Sequence, residues 1–509
     1  MFDLIHMLQG VGAKEQTALS AWPRAWQAIT FREVVVDSRE TVPDALFVAL
    51  SGEQTDGHRF VQDAAERGAR GALVRRGALD DPTTGSLYTA LQHGEQPVLT
   101  APWVLLDTVS GVYPTSADPH SFWLVAVDDP MAALHQLARY HRQQHAATVI
   151  GITGSVGKTS TKEVIAALLS RQFATLKSKR SYNSEATLPT VLLQLTPEHQ
   201  VAVLEMGMWA AGELRKLADL ARPHIGVVTN VGPSHMERLG SIEAIAQAKA
   251  ELIESLPADG VAVLNADDER VRAMARLTSA RVITYGLQPT ADVWADALVS
   301  RGLEGMRFRV HYQDVASDVF VPLPGKHHVS TVLAAAAVGL TLGMSWDAIW
   351  HGLQQPLPTN RLQVVTGLAG SQILDDTYNA APASVLAALN IINELPGRRI
   401  AVLGDMLELG PVEEEAHHSV GQRAAEVVHN LVCVGPRARW IGDAAAQHGM
   451  GPEVIHCVET NQDAIAVLHT LLHPNHTAPD TETHILIKGS RGVAMEQIVA
   501  ALRRPEREE

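Results

Sequence analysis

Short apolar runs flanked by glycine or polar residues alternate with stretches of helical period along most of this chain. That pattern predicts strands alternating with helices, an α/β architecture built on mostly parallel sheets. Near the start, strands are expected at 34–36, 45–50 and 71–74, with a helix over 60–68 closed by Gly68. From about 78 to 120 the chain turns irregular and rich in Pro, Gly, Thr and Ser, and it reads as an insertion because the apolar run 122–127 resumes a strand behind it. Further on, strands are expected at 147–150, 201–204, 225–231 and 260–268, with helices over 161–169 and 241–256. Alternation at 307–312 predicts a short antiparallel annex between 292 and 324, followed by an alanine-rich helix over 329–343. The last part repeats the theme, with strands at 372–376, 399–403, 431–434 and 484–487 and helices over 383–394 and 412–428. Three domains are expected: a smaller α/β unit at 1–146, a central parallel sheet at 147–357 and a Rossmann-like unit at 358–509.

Composition narrows the setting. A length of 509 residues exceeds one core, and 46% apolar with 19% charged residues is ordinary for a globular protein. A net charge of −15 argues against nucleic acid as a partner. The two cysteines, Cys433 and Cys457, fit a reducing compartment and form no disulfide framework. The first residues lack a signal-peptide pattern, and no run is long enough to span a membrane, so a cytoplasmic protein is expected.

The chemistry centres on Thr153-Gly154-Ser155-Val156-Gly157-Lys158-Thr159-Ser160, between a predicted strand and a predicted helix. Backbone amides of such a turn and the helix N-terminus face an anion. Lys158 would neutralise phosphate charge and Thr159 would hold Mg²⁺. A strict Walker loop would carry glycine at Ile152, so this is the narrower variant Thr-Gly-x-x-Gly-Lys-Thr. Glu205 ends one strand and His235 follows another, the edge where open α/β sheets bind ligands. Lys249 and Glu251 lie on the helix over 241–256. Asp37-Ser38-Arg39 reads either as an Arg fork for a phosphate or as a turn with a solvated ion pair, and Gly57-His58 is equally open. Polar clusters end the strands of the last unit: Asp375-Asp376-Thr377-Tyr378-Asn379, Gly404-Asp405-Met406 and Lys488-Gly489-Ser490-Arg491.

These residues together resemble the Mur ligases, over nearly the whole chain apart from about 78–120. The resemblance is carried by Asp37-Ser38-Arg39, the loop at 153–160, Glu205-Met206-Gly207, Ser234-His235-Met236-Glu237 with Ala248-Lys249, Asp375 to Ala380, Leu403 to Gly410, and Lys488 to Arg491. It implies an ATP-dependent ligase using Mg²⁺, with a UDP-muramoyl-peptide and, from the last two stretches, D-alanyl-D-alanine as partners, acting as a monomer. It further implies that Asp37, Ser38, Arg39, Gly57 and His58 belong to the UDP-sugar pocket. The loop 153–160, His327, Arg361 and Asp376 would contact ATP, and Asn183, Glu185, Asn379, Lys488, Ser490 and Arg491 would serve the substrates. Lys158, Glu205, His235 and Lys249 are the implied catalytic residues, and Thr159, Glu205, His235 and a carbamylated Lys249 the implied metal ligands. Two motifs depart from the family: Asn183-Ser184-Glu185 stands for Asn-Asn-Glu, and His327-His328-Val329-Ser330-Thr331 stands for the adenine-binding His-Asn-x-x-Asn. Two alternatives stay open: a ligase of this type with another amino-acid acceptor, and a non-catalytic nucleotide-binding regulator.

Overall fold

The computed structural model describes residues 1–12, 24–52, 55–78, 103–108, 120–357, 362–473 and 482–504. They pack as two compact units: Met1–Val149 with Phe173–Met206 and Lys216–Arg222, and Ile150–Gln172 with Gly207–Arg215 and Pro223–Glu509. Three larger sheets carry the fold, of five, nine and six strands among the described residues.

The five-stranded sheet belongs to the first unit. Its order is Val34–Val35, Leu46–Val48, Gly71–Arg75, Phe122–Val127 and Trp103–Asp107, every neighbour parallel. One expectation is corrected here. Part of the presumed insertion, Trp103–Asp107, is a strand of the sheet, pairing Leu105 with Leu124. Its neighbours 79–102 and 109–119 lie outside the described residues. Phe47, Ala72 and Leu124 bury against Val61 and Ala64 of the helix Val61–Glu66. Gly68 turns the chain at φ +94°, which its missing Cβ permits.

The nine-stranded sheet runs Val315–Val321, Met306–Tyr312, Val293–Ser300, Arg281–Gly286, Val261–Asn265, Ile225–Val228, Thr148–Thr153, Val201–Glu205, Thr175–Lys177. Its first three strands are the antiparallel annex read from the alternation at 307–312. The alanine-rich helix is His327–Thr341, and Ala334 to Ala337 are fully buried. An added Cβ on Gly339 would come 3.3 Å from Leu168, and one on Gly352 would come 2.9 Å from it. Small residues thus seat the helix Lys158–Leu169 from behind.

The six-stranded sheet has the order Gln363–Thr366, Gln372–Asp375, Thr483–Lys488, Arg398–Gly404, Asn430–Val434, Ile455–Val458, with only the first pair antiparallel. Alternate residues fill separate cores on its two faces, Leu374, Leu403 and Leu486 on one and Ile373, Val402 and Ile485 on the other. Among the described residues no helix is long and apolar enough to cross a membrane.

In the first unit, the helix Pro130–Gln143 starts on an Asp129 cap that accepts from the Met131 amide. It buries His141, whose Nδ1 lies 2.9 Å from His6 Nε2 while Nε2 lies 3.0 Å from the Leu195 carbonyl. Burial pushes its pKa down to about 4, reinforced by the charges of His145 and His6 against the raising effect of the Leu195 bond. The folded chain therefore holds this ring neutral where the unfolded chain takes up a proton. Stability is complete above pH 6.5 and falls as pH drops through the window to 4, by up to about 3 kcal/mol from this group. Urea midpoints measured from pH 7 to 4.5 should fall less steeply for His141→Gln than for the parent chain; equal slopes would refute the assignment.

Candidate active site

The strand Thr148–Thr153 runs three residues further than the sequence suggested: Gly151 pairs in the ladder with Gly226, and the loop begins only at Gly154. Gly154 has φ +148°, and a Cβ there would stand 1.9 Å from Thr229 Oγ1. Gly157 precedes the helix Lys158–Leu169 at φ +88°, facing open space. The loop between them is fastened from one side. Thr229 Oγ1 and Asn230 Nδ2 donate to the Val156 carbonyl at 2.7 and 2.8 Å, and the Val156 amide donates to Asn230 Oδ1 at 2.9 Å. Ser155 Oγ exchanges bonds with the Gly232 backbone at 2.9 and 2.8 Å. The amides of Lys158, Thr159 and Ser160 open the helix, where the helix dipole favours an anion. Lys158 Nζ folds over the loop, donating to the carbonyls of Gly154 at 2.7 Å and Ser155 at 3.3 Å. Thr153 Oγ1 is buried with no hydrogen-bond partner among the described residues.

Lys249 projects from the helix Ile242–Glu254, which Ser241 caps through the Ala244 amide. It is 1% exposed, and burial, seconded by the positive charge of Lys158, pushes its pKa well below that of an ordinary lysine. A neutral amine is the form able to add carbon dioxide. His235 sits at φ +61° with Nδ1 3.1 Å from Glu408 Oε2, and its ring stacks on Trp209, over which Arg238 also lies at 4.7 Å. That hydrogen bond is the main cause holding the Glu408 carboxyl below its usual range. Sequence reasoning missed both Glu408 and Trp209; Glu408 stood in the Leu403–Gly410 stretch without a role. Among the described residues no three or more His, Cys, Asp or Glu side chains gather as a metal cage.

The three polar strand exits of the last sheet meet. Lys488, 2% exposed, donates to Asp376 Oδ2 and, at 2.8 Å, to the Asn379 carbonyl. Ser490 Oγ accepts from the Leu407 amide at 2.9 Å, and the Ser490 amide donates to the Asp405 carbonyl at 3.0 Å. Arg491 lies over the Tyr378 ring at 5.1 Å. His327 opens the helix His327–Thr341 beside a cleft of about 350 Å³, whose walls include Asn390, Glu394 and Arg423. Arg361 lies outside the described residues.

Glu205, 1% exposed at the end of Val201–Glu205, accepts from Asn183 Nδ2 at 2.8 Å. Glu185 pairs with Lys216 at 2.9 Å. Arg39 spends its fork on Asp37, at 2.9 and 2.6 Å, so the ion-pair turn is the arrangement present; Ser38 is buried beneath it. Gly57 has no room for a Cβ, which would meet the Leu50 carbonyl at 2.7 Å. His58 is buried, with Nδ1 2.6 Å from Asp56 and Nε2 accepting from the Arg75 amide at 2.8 Å, so both ring nitrogens are used in the framework.

Comparison with known proteins decides the family. The Mur ligase middle domain matches residues 152–339, the Mur ligase glutamate ligase domain 360–491 and the Mur ligase family catalytic domain 30–105. The UDP-N-acetylmuramoyl-tripeptide–D-alanyl-D-alanine ligase of Escherichia coli (strain K12) is 33% identical, over 93% of this chain and 94% of that one. This chain belongs to the Mur ligase family. The ligase of the same name from Bacillus subtilis (strain 168) is also 33% identical, over 92% of each chain. Among solved structures, MurF from Acinetobacter baumannii superposes with a TM-score of 0.77 at 27% identity, covering 98% of both chains. MurF from Thermotoga maritima, solved with ADP, shares the fold at a TM-score of 0.71 and 24% identity, over 93% of this chain and 97% of that one.

In this Mur ligase the buried Lys488–Asp376 pair ties two strand exits together, and breaking one half leaves an uncompensated charge. Asp376→Ala should cost about 3 kcal/mol of stability, and Asp376→Ala with Lys488→Met should regain most of it. Denaturant midpoints check both variants; a single variant as stable as the parent would contradict the buried pairing.

Proposed function

We propose that this ligase joins D-alanyl-D-alanine to UDP-N-acetylmuramoyl-tripeptide at the expense of ATP, in the cytoplasmic phase of peptidoglycan precursor synthesis. The observation that carries the reading is likeness from end to end, through all three Mur modules, to ligases bearing that activity in their names. An intact phosphate loop supports it.

The tripeptide's terminal carboxylate attacks the γ-phosphorus, the bond to the ADP oxygen breaks, and an acyl phosphate forms. The dipeptide amine then attacks the acyl carbon, loses a proton, and phosphate departs. The first step brings two anions together, so positive charge is the main requirement. Lys158 supplies it by exchanging the carbonyls of Gly154 and Ser155 for phosphate oxygens. The helix amides after Gly157 add theirs.

Magnesium, when bound, would neutralise phosphate charge. Thr159, Glu205, His235 and a carbamylated Lys249 are the residues proposed to hold it. The donor set fits, because Mg²⁺ takes most of its ligands from phosphates and water and needs only one or two carboxylates, so no cage of side chains is required. His235 would give up Glu408 in doing so. The low basicity of buried Lys249 favours carbamate formation at neutral pH.

Asp37, Ser38, Arg39 and Gly57 are assigned to the UDP-sugar side. His327, Arg361 and Asp376 are assigned to the nucleotide, and Asn183, Glu185, Asn379, Ser490 and Arg491 to the peptide and dipeptide. His58 and Lys488, whose polar atoms are engaged within the protein, act as positioning residues.

ADP release measured with UDP-muramoyl-tripeptide should require D-alanyl-D-alanine and stay at background with single amino acids. Lys158→Ala should lower kcat by at least about 10²-fold with the fold intact. Equal rates with alanine or glutamate as acceptor would overturn the substrate, and near-normal turnover of Lys158→Ala would overturn the phosphate site.

A further inference from the structure

We propose that Cys433 and Cys457 form an oxidation site, at which a peroxide converts the two thiols into an intramolecular disulfide. They are the only two cysteines of the chain, and neither belongs to the machinery above. They stand in direct register on neighbouring parallel strands, Asn430–Val434 and Ile455–Val458, so their side chains leave the same face of the sheet. Adjacent strands lie about 4.8 Å apart, inside the Cα separation of about 4.4–6.8 Å that a disulfide spans.

That face is covered by the helix Arg439–Gln447, which presents Gly442 to the two sulfurs. A Cβ on Gly442 would come 2.6 Å from Cys457 Sγ and 3.5 Å from Cys433 Sγ, so the glycine leaves the space the sulfur pair fills. The pair is asymmetric in the way a two-step oxidation needs. Cys457 is exposed on the edge strand, where a small reagent arrives, and Cys433 is fully buried behind it. The hydrogen bond from Cys433 also lowers the Cys457 thiol to about 7, with help from Arg439, while Cys433 is pushed up. Thiolate therefore accumulates at the accessible sulfur at neutral pH.

In the first step the Cys457 thiolate attacks one oxygen of hydrogen peroxide. The O–O bond breaks, hydroxide leaves and takes a proton to become water, and Cys457 carries a sulfenic acid. Cys433 sulfur then attacks the sulfenic sulfur, the S–O bond breaks, and the departing oxygen leaves as water with the Cys433 proton. Two thiols lose two electrons together, and one peroxide becomes two waters.

The test uses the full chain, treated with hydrogen peroxide at near-stoichiometric amounts. Free thiols should fall from two per chain to none. Non-reducing peptide mapping should then show one Cys433–Cys457 linkage, reversed by dithiothreitol. In Cys433→Ala, which removes the hydrogen-bond donor, Cys457 should be captured by dimedone as the sulfenic acid, and the pH midpoint of its alkylation should rise from about 7. In Cys457→Ser, Cys433 should oxidise at least about tenfold more slowly. Two thiols persisting after peroxide, linkage only between chains, or unchanged oxidation of Cys433 in Cys457→Ser would each overturn the proposal.

Discussion

The shape of the loop that opens the helix Lys158–Leu169 depends on a second segment that fastens it from one side. Thr229, Asn230 and Gly232 take up Ser155 and both polar groups of the Val156 peptide, while the crowding of Gly154 against Thr229 admits no side chain. These bonds hold the loop's shape from within the protein. Lys158 rests on the carbonyls of that loop. Lys249, buried within reach of the same charge, inherits its low basicity partly from Lys158.

The last sheet applies a related device with a different purpose. Its strand exits bring together Asp376, Asn379, Lys488, Ser490 and the loop around Asp405, and most of the polar atoms there bond each other. Such a network fixes loop geometry. Polar side chains at these strand exits thus serve the framework itself. His58 makes the same point in the first unit, its ring closed off by Asp56 and Arg75.

What could be read from the chain and what could not follows from how far apart the partners lie. The phosphate loop was legible because its glycines, lysine and threonine are contiguous and flanked by an apolar strand and a helix. Buried parallel strands such as Val201–Glu205 and Arg398–Gly404 announced themselves by their apolar runs, 201–204 and 400–403. Three edge strands did not: Gln363–Thr366 and Ile455–Val458 are half exposed and mixed in polarity, and Trp103–Asp107 sits inside a loop-like composition. The pairing of His235 with Glu408, and of Glu205 with Asn183, depends on tertiary approach that spacing does not encode. Arg39 illustrates an ambiguity that local sequence left open, since its fork fits a phosphate and a neighbouring carboxylate alike, and Asp37 holds it.

The seat behind the phosphate-loop helix has a mechanical consequence. Leu168 lies ten residues along from Lys158, about 15 Å at the rise of an α-helix, and it nests against Gly339 and Gly352. A rigid rod pinned at one end transmits displacement to the other. Enlarging either glycine would tilt the rod and shift the lysine at its tip, so drift at a position about 15 Å away would be felt in the loop that opens the helix.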